Sequence, residues 1–396
     1  MGELPEHDWA SIVREAAAAL SDEMGARVVI GDASPVSDGW TARHGSSLCV
    51  RRCVASGLEG ANERSVIVKV RRPASDGRAG AGLARERVAL TMLGELGTNV
   101  GPRVLAGGEG FLVLEDLGAG AAVEDVLVGD DAAAATAALV AFARAVGAMQ
   151  AVSLGREAAF RSRLAQVGVD TSADCAVLAG TSLAERWARL RELAAEQGPL
   201  PETRDADADI EEVSAWLAEP GPLLAMSNGD LAPQNCRLGN GSVRLLDFEE
   251  ASYRHLMLDV ANLRLPFCAA PCWGRLPAEV SEAMEAALRD ELGRACADVL
   301  DARVYASGMA AATAVWAVTR LVRLPKLLAR DEPHPMGFSR RGQLLDTIQG
   351  AVDAAAAAGA LPWLGRWFER TIAALRGRWP DLSVRQELYP AFRGQG

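Results

Sequence analysis

A chain of 396 residues with 49% hydrophobic composition is long enough for two or three domains with sizeable cores. Its net charge of −11 argues against a general nucleic-acid binder, and seven cysteines, an odd number in a long chain, do not make a disulfide framework. Most of the acidic excess falls after residue 117, which favours a cationic substrate there, and arginine almost wholly replaces lysine, whose two occurrences are Lys69 and Lys326.

In chain order, Trp9, Ile12, Val13, Ala16, Ala17 and Leu20 recur at helical spacing, which predicts an amphipathic helix over 8–24. No basic stretch followed by an apolar core precedes it, so no secretory signal is expected and a cytoplasmic location is. Short β-like runs follow at Arg27–Ile30, Ser47–Val54 and Ser65–Val70, with a glycine-bearing loop at Asp32–Gly45 that carries neither a G-x-G-x-x-G nor a Walker A pattern. Lys69 stands inside the apolar run Val66–Val70, where an exposed sheet edge is the ordinary explanation. Arg72–Gly82 reads as a mobile connector, Leu83–Leu96 as a helix with Glu86 in its first turn, and Arg103–Ala106 with Phe111–Glu115 as a hairpin.

Beyond Gly118 the periodicity is helical. Asp130-Asp131 should cap a helix whose apolar face carries Leu139, Phe142, Ala143, Val146 and Met149, and Ser182 with Glu185 forms a capping box before Trp187 and Leu190. The acid-rich segment Glu202–Glu219 reads as a solvated helix face rather than a cation-binding wall. Further helices are expected over Pro277–Val299, Ala302–Arg323, Gly342–Ala358 and Leu364–Arg376; the apolar Val304–Val322 carries enough polar residues to be a buried helix rather than a membrane span. Arg320, Arg323 and Lys326 can line one face there, which surface ion pairing accounts for. The pairs Cys49/Cys53 and Cys268/Cys272 share a C-x-x-x-C spacing, yet no histidine lies close to either, so buried thiols on one helical face are expected rather than zinc ligands.

The stretch richest in chemistry is Leu223–Asp247. An apolar run ends in Asn228-Gly229-Asp230, Asn235 follows five residues after the acid, and the strand Val243–Leu246 leads out of a Gly239-Asn240-Gly241 turn to Asp247. Any one of these residues alone is ordinary turn chemistry. The ordered set of acid, amide, strand and acid is the layout of a phosphoryl-transfer loop: Asp230 to orient a hydroxyl, Asn235 and Asp247 to hold Mg²⁺.

On these residues the chain resembles the aminoglycoside phosphotransferase and choline kinase-like enzymes, relatives of the protein kinases, from about residue 28 to 265. Their loop reads His-Gly-Asp, four residues, Asn, then Asp after a hydrophobic strand. Here Asn228 stands in place of the histidine, Asp247-Phe248-Glu249 in place of the protein-kinase Asp-Phe-Gly, and Met149-Gln150 where the family often has Leu-His. The resemblance implies a two-lobed, protein-kinase-like α+β fold, with a β-rich N-lobe over 1–117, a helical C-lobe over 118–396 and ATP between them. It implies that Lys69, oriented by Glu86, holds the α/β phosphates; a compact ammonium does this where a guanidinium does not. It also implies that Glu115 and Leu117 meet the adenine through their backbone at the hinge, and that Asp259 braces the catalytic loop by accepting backbone hydrogen bonds.

The expected activity is therefore ATP-dependent phosphorylation of a hydroxyl on a small molecule. Cationic antibiotics, which would make the enzyme a resistance factor, and choline-like alcohols are among the acceptors the resemblance implies; no nucleic acid and no membrane is expected as a partner. A nucleotide-binding pseudokinase is the alternative suggested by Asn228 and Gln150, and the presence of Lys69, Glu86, Asp230, Asn235 and Asp247 together opposes it. A protein acceptor is opposed by the shortness of Glu249–Asp259, too brief for an activation loop.

Overall fold

The computed structural model describes the chain except residues 1–5, 37–47, 59–62, 72–76, 172–179, 197, 199, 240, 266, 268–269, 271, 333–337 and 395–396. Most of the glycine-bearing loop at Asp32–Gly45, the start of the expected Arg72–Gly82 connector and Cys268 lie outside the described residues. The chain divides into two compact units, one formed by Met1–Gly120, Ala158–Thr171 and Arg244–Ala251, the other by the remainder.

The first unit is built on a five-stranded antiparallel sheet in the order β1-β2-β3-β5-β4, with β1 at Val29–Pro35, β2 at Leu48–Ser56, β3 at Glu63–Arg71, β4 at Val104–Gly108 and β5 at Phe111–Glu115. Strand alternation decides what each face does. Val66, Val68 and Val70 of β3 bury one face together with Phe111 and Val113 of β5 and with Trp9, Ala16 and Leu20 of helix α1 (Glu6–Met24). Lys69 points to the other face, opposite Leu112 of β5 and Val50 of β2. It therefore stands on the central strand and not on an edge. Cys49 and Cys53, four apart on β2, are buried thiols on a strand, where the spacing had suggested a helix.

Helix α2 runs from Gly77 to Glu95, so the second half of the expected connector is helical. Glycine and alanine there give no helix-start signal, and packing of the following turns, with Leu83, Val88, Leu90, Met92 and Leu93 buried, carries the helix back beyond Leu83. Glu86 consequently sits in mid-helix rather than in a first turn, which removes the helix dipole as the reason for its being there.

The second unit is helical. Helix α3 is short (Val123–Leu127), and α4 (Ala132–Ser153) begins at Asp131, whose carboxylate accepts from the Ala134 amide at 2.9 Å. After α5 (Glu157–Gln166), whose residues from Ala158 belong to the first unit, come α6 (Gly180–Ala195) and α7 (Asp207–Ala218). Strands β6 (Leu224–Ser227) and β9 (Ser252–His255) pair antiparallel, while β7 (Cys236–Gly239) and β8 (Ser242–Leu245) lie between them in sequence, and α8 (Met257–Val260) follows β9. Helices α9 (Ala278–Gly293), α10 (Ala302–Leu321), α11 (Leu324–Ala329), α12 (Arg340–Ala358) and α13 (Pro362–Arg378) complete the unit. The helix expected over Pro277–Val299 stops at Gly293, and Ala297–Leu300 forms a separate 3₁₀ turn.

The core of this unit holds an edge-on Phe142–Phe267 pair at 5.4 Å and a Trp187–Trp367 pair at 4.8 Å. Helix α10 is lined on its inner side by Tyr305, Met309, Thr313 and Trp316, as a buried helix should be. Among the described residues α4 is the helix long and apolar enough to cross a membrane by composition, and Leu139, Phe142, Val146 and Met149 on it are buried. The acid-rich segment is more than a solvated face. Asp209 accepts from the amides of Trp363 and Leu364, both at 2.8 Å, which satisfies the orphan donors at the start of α13, and Asp207 holds the Trp187 indole at 2.8 Å.

Candidate active site

In the sheet unit, Lys69 Nζ donates to both carboxylate oxygens of Glu86 at 2.8 Å and to Asp247 Oδ1 at 3.3 Å. The Glu86 side chain is 1% exposed and that of Lys69 12%. Burial alone would drive the lysine towards neutrality, but the charges of Glu86 and Asp247 outweigh it and hold the ammonium well above its ordinary range. Burial pushes the Glu86 carboxyl up, and Lys69 opposes that shift. The pair is thus a preformed, charged ion pair whose cation also reaches Asp247.

Asp247 takes a left-handed backbone conformation (φ 60°), uncommon for a residue with a side chain. Three contacts hold this segment against α2. The Phe248 amide donates to Glu86 Oε1 at 3.4 Å, Arg85 donates to the Ala251 carbonyl at 2.9 Å, and Gly82 faces Glu249, where an added Cβ would lie 3.3 Å from the glutamate Cβ. Burial, with the neighbouring charge of Asp247, raises the Glu249 carboxyl to about 7. Glu249, Arg85 and Gly82 escaped the reading of the sequence; the glutamate in place of the Asp-Phe-Gly glycine was the one available signal.

Glu115 and Leu117 follow β5. The Glu115 carboxylate accepts from the Arg103 amide at 3.1 Å and from Arg244 at 3.0 Å, so its side chain is taken up by structure. Leu117 is half-buried. Between them Asp116, not singled out from the sequence, accepts from Arg52 at 2.6 and 3.1 Å, from Ser65 at 2.5 Å and from the Gly118 amide at 2.9 Å. It ties the segment after β5 back onto β2 and β3, and these donors hold its carboxyl below the usual range despite burial.

In the helical unit, β6 delivers the loop that carries Asp230. Gly229 adopts φ 91°, open to glycine, and its amide donates to Ser227 Oγ at 3.0 Å. Asn228, fully buried, donates from its carboxamide to the Asp230 carbonyl at 3.3 Å and so helps to hold the loop. Asn235 Nδ2 donates to the Asp230 carbonyl at 3.1 Å and to Asp230 Oδ2 at 3.0 Å. Acid and amide, five residues apart, form one hydrogen-bonded pair, with the amide oxygen left to face other groups.

Asp259 accepts from Ser227 Oγ at 3.2 Å, from Gln150 Nε2 at 3.3 Å and from Arg254. Backbone amides were the expected donors; the observed donors are side chains, one of them from Ser227 just before the loop. Gln150 supplies one of those donors. The unit also holds a cavity of about 570 Å³ lined in part by two ion pairs, Arg264 with Glu285 at 2.5 Å and Arg385 with Asp346 at 2.9 Å; no residue of the Asp230 loop lines it.

Among the described residues no group of three or more His, Cys, Asp or Glu is arranged to hold a metal ion by itself. Asn235 and Asp247 are hard oxygen donors, one amide and one carboxylate. Each, in its own unit, is the hard oxygen type that Mg²⁺ takes, an ion that keeps waters and needs few protein ligands.

A family model described as the phosphotransferase enzyme family matches residues 58–296, more than half of the chain, a span that includes Lys69, Glu86, Asp230, Asn235 and Asp247. No curated protein matches by sequence. Among solved structures, an ethanolamine kinase of Plasmodium vivax is similar at 11% identity, covering 87% of this chain and 81% of its own, with a TM-score of 0.45. The choline kinase LicA of Streptococcus pneumoniae is similar at 15% identity, with coverage of 88% and 99% and a TM-score of 0.43. APH(2″)-IIa in its ternary complex with streptomycin and ATP is similar at 12% identity, with coverage of 83% and 95% and a TM-score of 0.45.

Proposed function

Because the chain belongs to the phosphotransferase enzyme family, with its two-lobed, protein-kinase-like α+β fold, we propose that it transfers the γ-phosphoryl group of ATP to a hydroxyl of a small molecule. The observation that carries this reading is the buried Lys69–Glu86 pair with Asp247 on the same ammonium. A buried cation held by one carboxylate and shared with a second has no packing purpose that an apolar pair would not serve better. It has a chemical purpose if Lys69 meets phosphate oxygens while Glu86 fixes where its ammonium stands.

Asp230 would accept the hydrogen bond of the acceptor hydroxyl and take its proton, with Asn235 fixing the orientation of that carboxylate from one side. Asn235 and Asp247 would hold Mg²⁺. When bound, the ion would neutralise charge on the phosphate oxygens. The transition state of such a transfer is loose, so holding the nucleophile in line contributes more than removing its proton. The backbone at Glu115 and Leu117 would receive the adenine edge, with Asp116 holding that segment in place. The acceptor we propose is a cationic or mixed-charge metabolite or antibiotic with a free hydroxyl, processed by a soluble cytoplasmic enzyme.

The test is an ATP-consumption screen of the purified chain against hydroxylated metabolites and antibiotics, with mass spectrometry for one added phosphate. Acceptor-dependent ADP release that disappears in Asp230→Asn supports the reading. ATP binding without transfer to any acceptor, and without consequence for the Asp230→Asn variant in cells, would identify a nucleotide-binding regulator instead.

A further inference from the structure

Four arginines converge at the C-terminal end of α10. Arg320 is in its last turn, Arg323 follows directly, Arg186 comes from α6 and Arg340 opens α12; both α6 and α12 pack on α10. Desolvation and the charge of Arg320 work against the protonated state of Arg186, of Arg323 and of Arg340 alike. The charge of Arg320 thus reaches all three of the others. A helix C-terminus attracts cations, which accounts for one or two of them. It does not account for four that repel one another in a chain of net charge −11.

Among the described residues no ion pair joins these arginines to a carboxylate. Glu332, the acid whose charge reaches Arg323 and Arg340, is exposed and holds Lys326 at 2.6 Å. Asp331 is taken up by Ser339 Oγ at 2.6 Å and by the amides of Glu332 and Arg341. Glu185 beside Arg186 is exposed. Two guanidinium nitrogens, Arg186 Nη1 and Arg320 Nε, are buried and meet no acceptor among the described residues. A buried charged donor without an acceptor is costly, and proteins keep such groups where a ligand completes them.

The cluster is also held in place. Arg320 stacks over the Trp316 ring at 5.4 Å, and that indole donates to the Leu258 carbonyl at 2.7 Å. Arg340 Nη1 is fixed by the Ala270 carbonyl at 2.6 Å and by Gln343 Oε1 at 2.5 Å. Guanidinium groups held in place, two of them with a buried nitrogen still without an acceptor among the described residues, suit a tetrahedral oxyanion that can take several N–H donors at once.

We propose that Arg186, Arg320, Arg323 and Arg340 form a binding site for a phosphoryl group, carried either by free inorganic phosphate or by a phosphorylated metabolite. The site lies in the helical unit and uses none of the residues assigned to the nucleotide phosphates, so it stands or falls independently of the kinase reading.

The experiment is calorimetric titration of the full chain with inorganic phosphate and, separately, with glycerol phosphate, in chloride buffer at matched ionic strength. Wild type is expected to bind with a single-site isotherm, and Arg320→Gln and Arg186→Gln to weaken it tenfold or more. Lys69→Met should leave it unchanged. Tighter binding of glycerol phosphate than of inorganic phosphate identifies a phosphorylated metabolite as the source, the reverse order the free anion. Circular dichroism checks that each variant folds, and Arg323→Gln, whose side chain is exposed, replaces Arg320→Gln if that variant does not. No binding by wild type overturns the proposal, as does binding that survives the arginine substitutions but is lost in Lys69→Met, which would place the anion at the nucleotide phosphates.

Discussion

Replacing Lys69 by Met removes the cation from a carboxylate that is 1% exposed and was bonded at 2.8 Å through both oxygens. Removing one partner of a buried pair costs about 3–5 kcal/mol, because the remaining charge is left without compensation. The sign of its pH dependence follows from Glu86. Burial already raises its carboxyl above the unfolded value of 4.5, and losing Lys69 raises it further. A carboxyl whose folded pKa is raised contributes its stability fully below the unfolded value and loses it as pH rises towards the folded one. The deficit of Lys69→Met should therefore be small near pH 4.5 and grow by up to about 1.4 kcal/mol per pH unit above it, until Glu86 ionises in the folded state. Adding Glu86→Gln should restore most of the loss at pH 8, since a neutral amide in the same place has no charge to strand. Urea unfolding at pH 5 and pH 8 for wild type, both single variants and the double variant measures this, with the transition of the sheet unit read through Trp9. A Lys69→Met deficit below about 1 kcal/mol, flat with pH and unaffected by Glu86→Gln, would refute the buried-pair argument and return Lys69 to a solvated lysine.

Asp230→Asn should lower kcat by about 10²–10⁴-fold while changing ATP affinity little, as read by nucleotide titration beside turnover on the acceptor that the screen identifies. Asp247→Ala should abolish turnover and make ATP binding insensitive to Mg²⁺ in calorimetry; an undiminished Mg²⁺ dependence would take Asp247 out of the metal site. Burial beside the Trp216 ring lowers His255 to about 3, while its Nδ1 accepts from the Met257 amide at 3.3 Å. A depressed histidine contributes stability that is present above the unfolded value of 6.5 and lost as pH falls below it, so wild type should weaken by up to about 1.4 kcal/mol per unit in that range. His255→Phe should flatten that slope in acid denaturation, and an unchanged slope would assign it to other groups. Gly101→Ala should destabilise the sheet unit by about 1–3 kcal/mol in the same urea assay, since its Cβ would lie 2.6 Å from Leu90 Cδ2 and 3.2 Å from the Phe248 ring.

What the sequence by itself determined is local. Strand alternation around Lys69, the apolar face of α4 and its Asp131 cap, and the order of Asp230, Asn235 and Asp247 are written within windows of a few to some twenty residues, where periodicity and turn chemistry act. The hydrogen bond between Asp230 and Asn235 belongs to the same class, because five residues of one tight loop leave few ways to separate them. The tertiary structure decided what spans greater distances. Lys69 meets Glu86 across 17 positions and Asp247 across 178, and neither meeting is implied by the strand or the helix alone. Packing against the sheet extended α2 back to Gly77 through a run broken by glycines of poor helical propensity, and so turned Glu86 from a residue near a helix end into a buried partner. The acids of α7 proved to be anchors because α13 begins beside them, and Arg320 and Arg323, which read as surface ion pairs, were joined by Arg186 and Arg340 from helices that no sequence pattern places together. Side chains distant in sequence become neighbours through the packing of whole elements, and the amphipathic pattern specifies which face is buried without specifying which partner it meets.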